Sequence, residues 1–378
     1  MTVHRLKFPV MFSFGFGQLA EAIKNSGFNV FLLFYYNQVL GVSATLTSVA
    51  LAIALMFDAV SDPLVGSFSD KLRTRFGRRH PLILMAALPL GLRFYCLFNP
   101  PSMTSDWAHF IWLLGFAILV RASLTLYHVP HLALGAELAE DYHQRSTLYA
   151  MSTFFGFLGG ALFVPVSYTL FFPTTDVFNP ALLNKAAYQP WSLMAAGLMI
   201  FAIVVCVIGT RREIPRLVQR VDSDARQLMR VSALIQEFRE AFNNRSFRAI
   251  FFGMMLSTLV LSVEGVFNPF MGFHFWGLTT EQLRWIPLAQ LVGLFLSLSL
   301  LPIMTRWLDK KRTLIVSALL VILNINIPIV LSLSGVSWFP AQGSQSLLIV
   351  LILSGLVTAI LAPIIFATLN SMFVDIAD

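Results

Sequence analysis

The stretch Asp58-Ala-Val-Ser-Asp62-Pro63 places two carboxylates inside an apolar run, residues 43–68, long enough to cross a bilayer. A carboxylate at membrane depth is costly unless it is paired, protonated or facing water. Four residues apart on a helix, the two side chains share one face. Their oxygens suit a sodium ion or a proton in transit. Ser61 stands beside them, and Pro63 removes a backbone donor, which frees a nearby carbonyl as a further oxygen ligand. A second run carries Arg121, Thr125 and His128, a cation, a hydroxyl and an imidazole along one stripe. Arg121 lies too deep to reach the interface, so it should face a carboxylate or water, and Asp58 and Glu21 are the available partners. The first run adds Glu21, Lys24 and Asn25; the acid and the lysine either neutralise each other one turn apart or line a cavity. In the second half Glu264 stands alone in its run, with Asn268 one turn on. Glu21, Lys24, Asn25, Arg121, His128 and Glu264 are thus candidate solute contacts.

Elements buried in lipid must position these groups. Of 378 residues, 57% are hydrophobic and 12% charged, with 35 Phe, against about 25% charged in a soluble domain. Such a chain needs a lipid bilayer as solvent. The net charge of +7 lies in short segments between apolar runs, which argues against nucleic acid as a partner. Cys96 and Cys206 both fall in apolar runs, so no disulfide framework is expected. No nucleophile elbow, metal-spaced cluster or phosphate loop is present, so an enzyme is not expected.

A bilayer core takes roughly 20 apolar residues per helix. Ten spans are expected, near residues 12–40, 43–68, 81–98, 107–131, 147–172, 191–209, 247–275, 283–305, 313–333 and 346–373. Lys and Arg gather in alternate loops: Arg5 and Lys7; Lys71, Arg73, Arg75, Arg78 and Arg79; Arg145; residues 211–248; and Arg306, Lys310, Lys311 and Arg312. The positive-inside rule then makes the N-terminus cytoplasmic. Residues 211–246 read as a cytoplasmic linker with a surface helix (Leu228, Val231, Leu234, Ile235, Phe238) between an N-terminal six-helix bundle, residues 1–210, and a C-terminal four-helix bundle, residues 247–378.

The halves repeat. Gly66-Ser-Phe-Ser-Asp70-Lys71 with Arg75-Phe-Gly77-Arg78-Arg79 lies between spans two and three, and Arg306-Trp-Leu-Asp309-Lys310-Lys311-Arg312 lies between spans eight and nine. An Asp at a helix end beside clustered Arg can latch two helices, so Asp70, Arg75, Arg78, Arg79 and Asp309 are latch candidates. Span four ends in Ala136-Glu137-Leu-Ala-Glu140-Asp141 and span ten in Val374-Asp375-Ile-Ala-Asp378. Two spans follow the first copy, so the chain is expected to lack the last two helices of its second bundle.

The loop pattern is similar to the signature of the major facilitator superfamily. Gly15-Phe-Gly17, the run from Phe34 to Ser43, Phe57-Asp58-Ala-Val-Ser-Asp62-Pro63-Leu-Val-Gly66 and Arg75-Phe-Gly77-Arg78-Arg79-His-Pro81 together resemble its glycoside–pentoside–hexuronide:cation symporter branch, typified by melibiose permease. The resemblance implies an all-α membrane protein, a major facilitator fold of two parallel six-helix bundles. It implies a multi-pass protein of the bacterial inner membrane, working as a monomer without a cofactor. It implies secondary active symport of a small organic solute, a glycoside or sugar derivative, with Na+ or H+. A lysolipid or other amphiphile carrier on the same scaffold is the alternative. Asp58 and Asp62 match the branch's cation-binding aspartates and Thr125 its cation-binding threonine, whereas Ser61 replaces an asparagine. Asp58 and Asp62 would be the metal ligands if the ion is sodium. At the branch's two sugar-binding aspartates this chain has Ala22 and His128.

Overall fold

The computed structural model describes residues 6–139, 142–221, 242–243 and 245–377. Arg5, Glu140, Asp141, Asp378 and the expected surface-helix residues Leu228, Val231, Leu234, Ile235 and Phe238 lie outside them. Every regular element among the described residues is helical. The chain divides into two compact units, Met1–Ala225 and Arg226–Asp378.

In the first unit α1 (Phe8–Ser26) opens with a proline in its first turn and continues through π-helical turns at Gly27–Leu32 and Tyr35–Val39. Proline suits that position, where its missing N–H has no helical partner to lose. Gly41, at φ 74°, ends the run. Then come α2 (Ala44–Lys71), α3 (His80–Leu97), α4 (Asp106–Leu138), α5 (Tyr142–Leu170) and α6 (Tyr188–Thr210). Ser105 caps α4 by accepting from the Trp107 amide. Pro63 lies well inside α2, so the Asp62-Pro63 pair does not terminate the helix.

The six helices pack in the order α5, α1, α6, α3, α4, α2. Buried rings of Phe31, Phe94, Phe98, Phe172 and Tyr188 surround Trp191, whose indole N–H donates to Ser167 Oγ at 2.8 Å. Met56, Leu88, Ile111 and Leu193 are exposed on outward faces, where only lipid makes them inexpensive. After α6 the chain turns into α7 (Ile214–Val221), expected as linker. This stretch is docked on the first unit: Leu217 is buried, and Arg216 donates to the Leu138 carbonyl at 2.6 Å. The bond meets a carbonyl that the end of α4 leaves without a helical donor.

The second unit holds α8 (Arg245–Phe270) with a π-helical turn at Met271–Phe275, α9 (Thr280–Leu283), α10 (Trp285–Leu333) and α11 (Gln345–Ala377). Thr279 and Gln282 form a capping box on α9. Two expected spans, 283–305 and 313–333, appear as the single α10, interrupted at Asp309 with φ 64° and ψ 159°. Both stretches of α10 pack with α11, which also meets α8. Asn324 Nδ2 ties α10 to α11 by donating to Ser354 O (2.8 Å) and Thr358 Oγ1 (3.0 Å).

Among the described residues, eight helical stretches are long and apolar enough to cross a membrane, against ten expected spans. The difference has two sources. α10 merges two spans, and α1 carries Gln18, Glu21, Lys24 and Asn25 in its middle, which lowers its hydropathy. The chain is a multi-pass integral membrane protein.

Candidate functional site

The two aspartates of α2 face α4 in two rungs. Arg121 Nη1 donates to Asp58 Oδ2 in an ion pair. One turn along, Thr125 Oγ1 donates to Asp62 Oδ1 at 2.8 Å, and Ser61 Oγ lies 3.4 Å from Thr125 Oγ1. A spacing of four on both helices matches rung to rung only if α2 and α4 run in the same direction, as helices separated by one crossing do. Ser61 and Thr125 are buried, whereas Asp62 is exposed on the helix and Asp58 half-buried. Asp58 Oδ1 and Arg121 Nε are buried without a hydrogen-bond partner. Asp62 has no basic group within 4.0 Å among the described residues.

The α1 groups form a second set against α4. His128 Nδ1 lies 2.8 Å from Glu21 Oε2, and Gln18 Nε2 donates to the same oxygen at 2.5 Å. Gln18 in turn accepts from Ser152 of α5 at 3.2 Å. Glu21 and Lys24 form no ion pair within 4.0 Å. Lys24 Nζ donates instead to Asn25 Oδ1 at 2.8 Å, because Glu21 is already engaged by His128 and Gln18. The Lys24 ammonium and the Arg121 guanidinium both lie over the Phe28 ring, at 5.1 and 5.3 Å from its centroid. Glu21, Lys24, Asn25, Arg121 and His128 therefore occur together, next to the Asp58 and Asp62 rungs. Glu264 belongs to the second unit, half-buried on α8.

Other polar groups of the first unit are tied into its packing. His131 is buried, and its Nε2 bonds to the Phe14 carbonyl at 3.0 Å. Arg93 of α3 donates to Ser123 Oγ of α4 at 2.5 Å. The Arg cluster does join helix ends. Arg79, 5% exposed, donates to Ser69 Oγ (2.6 Å), Asp70 Oδ1 (2.5 Å) and Glu137 Oε1 (2.8 Å). Arg78 Nε donates to Glu137 Oε1 at 2.9 Å. Arg75 takes no part. The turn from Thr74 to Gly77, with Gly77 at φ 79°, leaves it exposed over the Phe76 ring. Asp309 is not a second copy of Asp70 in this respect, since its carboxylate accepts the Lys310 amide at 2.6 Å and caps the break in α10.

The α1–α4 site also holds Gln18 and Phe28, and the Arg79 cluster Ser69 and Glu137, none of them among the candidate residues of the sequence. Helical spacing offers a signal for two of them: Gln18 is one turn before Glu21 and Phe28 one turn after Lys24. Glu137 carries no comparable local signal, because its partners lie on another segment.

Residues 13–378 match the family model described as MFS/sugar transport protein. The chain belongs to that family. It is 31% identical over 176 residues to an uncharacterized symporter of Synechocystis sp., covering 45% of this chain and 32% of that protein. It is 24% identical over 323 residues to a glucuronide carrier protein homolog of Escherichia coli, covering 84% of this chain and 66% of that protein. The chain thus spans between 32% and 66% of these relatives' length. Its fold is similar to that of the xylose transporter XylE from E. coli in a partially occluded inward-open conformation, with TM-score 0.60, 14% identity, and 98% and 87% of the two chains covered. The matched family and the structural neighbour are transporters, not enzymes.

Proposed function

We propose that this chain forms part of a secondary active transporter that moves a small organic solute together with Na+ or H+. The observation that carries the reading is Asp62, a carboxylate within a membrane-crossing helix whose hydrogen-bond partner is the neutral Thr125 hydroxyl. A negative group placed so, with no basic partner within 4.0 Å, is balanced by a cation that comes and goes. Asp62, Thr125 and Ser61 supply oxygen, and the unpartnered Asp58 Oδ1 supplies one more. That donor set suits sodium or a proton. The neighbouring Glu21, Asn25, Lys24, Arg121 and His128 contact the solute, and Glu264 is a further candidate in the second unit. Cation binding at Asp62 cancels charge beside the solute groups and so favours solute binding. Linkage requires the reciprocal effect. The alternation of Lys and Arg between loops supports a cytoplasmic N-terminus in a bacterial inner membrane.

The test is uptake by the full-length protein in proteoliposomes, with a panel of glycosides and lysolipids and with sodium and proton gradients imposed separately. Concentrative uptake driven by one ion is expected, and it is lost in Asp62→Asn. Full ion-driven uptake in Asp62→Asn overturns the reading. Uptake of the lysolipids alone moves the substrate class to the amphiphile alternative.

A further inference from the structure

We propose that the transported solute carries an oxyanion, a carboxylate or a phosphate, seated by Lys24 and Arg121 against the Phe28 ring. The inference rests on the reading of this cluster as the solute site, and it names the chemistry of the solute.

The argument begins with Lys24. Its side chain is 5% exposed inside α1, and its ammonium has three donors to place. One goes to the Asn25 side-chain oxygen at 2.8 Å. No carboxylate lies within 4.0 Å of it among the described residues. The nearby acids bond to other groups: Glu21 to His128 and Gln18, Asp58 to Arg121, Asp62 to Thr125. A buried ammonium facing one neutral amide is costly unless an anion joins it.

Arg121 points to the same place. Only one edge of its guanidinium is used by Asp58, and its Nε is buried and unpartnered. A guanidinium edge of that kind takes a planar oxyanion through paired N–H groups. Lys24 and Arg121 also crowd one ring, at 5.1 and 5.3 Å from the Phe28 centroid, so two like charges meet one aromatic side chain. An oxyanion between them removes their repulsion, satisfies the free donors of Lys24 and supplies the missing acceptor for Arg121 Nε.

The experiment uses the full-length protein and three probes that differ at one carbon: glucose, glucuronate and glucose 6-phosphate. Acetate and inorganic phosphate serve as minimal occupants at fixed ionic strength. Thermal stability in detergent and proteoliposome uptake are both read. Acetate or phosphate is expected to raise the melting temperature of the wild type and of Lys24→Arg, and not that of Lys24→Met. Charged probes are expected to be bound about tenfold or more tightly than glucose, as charge-assisted hydrogen bonds imply, and Lys24→Met abolishes the preference. Removing an unpaired buried charge leaves Lys24→Met no less stable than the wild type without anions, so misfolding does not mask the result. The proposal is overturned if no anion stabilises the wild type, if glucose binds as well as the charged probes, or if Lys24→Met keeps the anion response. The carboxylate and phosphate probes tell the two oxyanion sources apart. Cation dependence separates this proposal from the one it rests on. Ion-driven uptake of a neutral solute sinks the oxyanion and leaves symport standing; an anion response without ion coupling does the reverse.

Discussion

Arg79→Met should be the most destabilising single change at the latch, well beyond Arg78→Ala, although both arginines bind the same carboxylate oxygen. Arg79 is 5% exposed and joins three groups from two helices, Ser69 and Asp70 of α2 and Glu137 of α4. The Asp70 contact is worth little by itself, because that carboxylate is 59% exposed and exposed pairs contribute about 0–1 kcal/mol. The cost lies with Ser69, fully buried, and Glu137, 16% exposed, which lose the donor that crosses between them. Breaking a buried ion pair costs about 3–5 kcal/mol, because the remaining charge loses its compensation. Arg78 stays on Glu137 and softens the loss, so about 3 kcal/mol is the working figure. Arg78→Ala removes a group that is 28% exposed and leaves Glu137 with Arg79, at a cost of about 1 kcal/mol. At about 2–4 °C per kcal/mol for a unit of this size, the melting temperature falls by roughly 6–12 °C in Arg79→Met and by about 2–4 °C in Arg78→Ala. The assay is a thermal melt of purified protein in one detergent at one scan rate, since membrane proteins commonly unfold irreversibly. Equal shifts for the two variants, or a shift in Arg79→Met below that of Arg78→Ala, would refute the reasoning.

Two further changes test the helix contacts. Thr125→Val keeps the shape of the side chain but removes the hydroxyl bound to Asp62 at 2.8 Å. The apparent cation affinity in ion-driven uptake should fall by about tenfold or more, matching the loss of a hydrogen bond to a charged group, while Thr125→Ser retains most of it; an unchanged half-saturating ion concentration counts against the cation seat. The Tyr127 hydroxyl is buried without a hydrogen-bond partner, and a Cβ added at Gly17 would sit 2.5 Å from it. Tyr127→Phe should therefore be neutral or stabilising, by up to about 1 kcal/mol. Gly17→Ala alone should be destabilising by about 1–3 kcal/mol, and Tyr127→Phe should rescue part of that in the double variant. Additive melting shifts across the cycle would show that the two positions do not share this contact.

What was legible in the sequence was whatever a single helix determines. The spacing from Asp58 to Asp62 puts both on one face wherever α2 packs, and the stripe of Arg121, Thr125 and His128 does the same for α4. Asp58 and Glu21 were named as partners of Arg121, and Asp58 is the one it binds. The choice between them was not legible, because it depends on which rung of α2 stands opposite Arg121 and on His128 having taken Glu21 first. Helix spacing also suggested a Glu21–Lys24 pair, and a tertiary contact overrode it. The same limit explains the latch. Its motif contains three arginines, but the turn fixed by Gly77 at φ 79° turns Arg75 outward while Arg78 and Arg79 reach α4. Asp309 repeats the sequence of Asp70 without its geometry, since a residue at φ 64° has left the helix whose end it was expected to mark.

That contrast bears on how the charges of the first unit are organised. Each of the three nitrogens of Arg79 donates, Nε to Glu137, Nη1 to Ser69 and Nη2 to Asp70, and these bonds hold helix ends together. Arg121 and Lys24 sit near Glu21, Asp58 and Asp62 and are less fully bonded, with a buried unpartnered Nε and an ammonium that bonds to an amide over the Phe28 ring. Stability alone would favour replacing such groups by apolar ones, because desolvating a charge costs more than one neutral hydrogen bond returns. Their incomplete partnering is therefore the mark that separates the proposed solute cluster from the proposed latch. It also fixes the order of effects to be expected: substitutions at Arg79 move the melting temperature, whereas substitutions at Lys24 move ligand response and leave the melting temperature of the empty protein unchanged or higher.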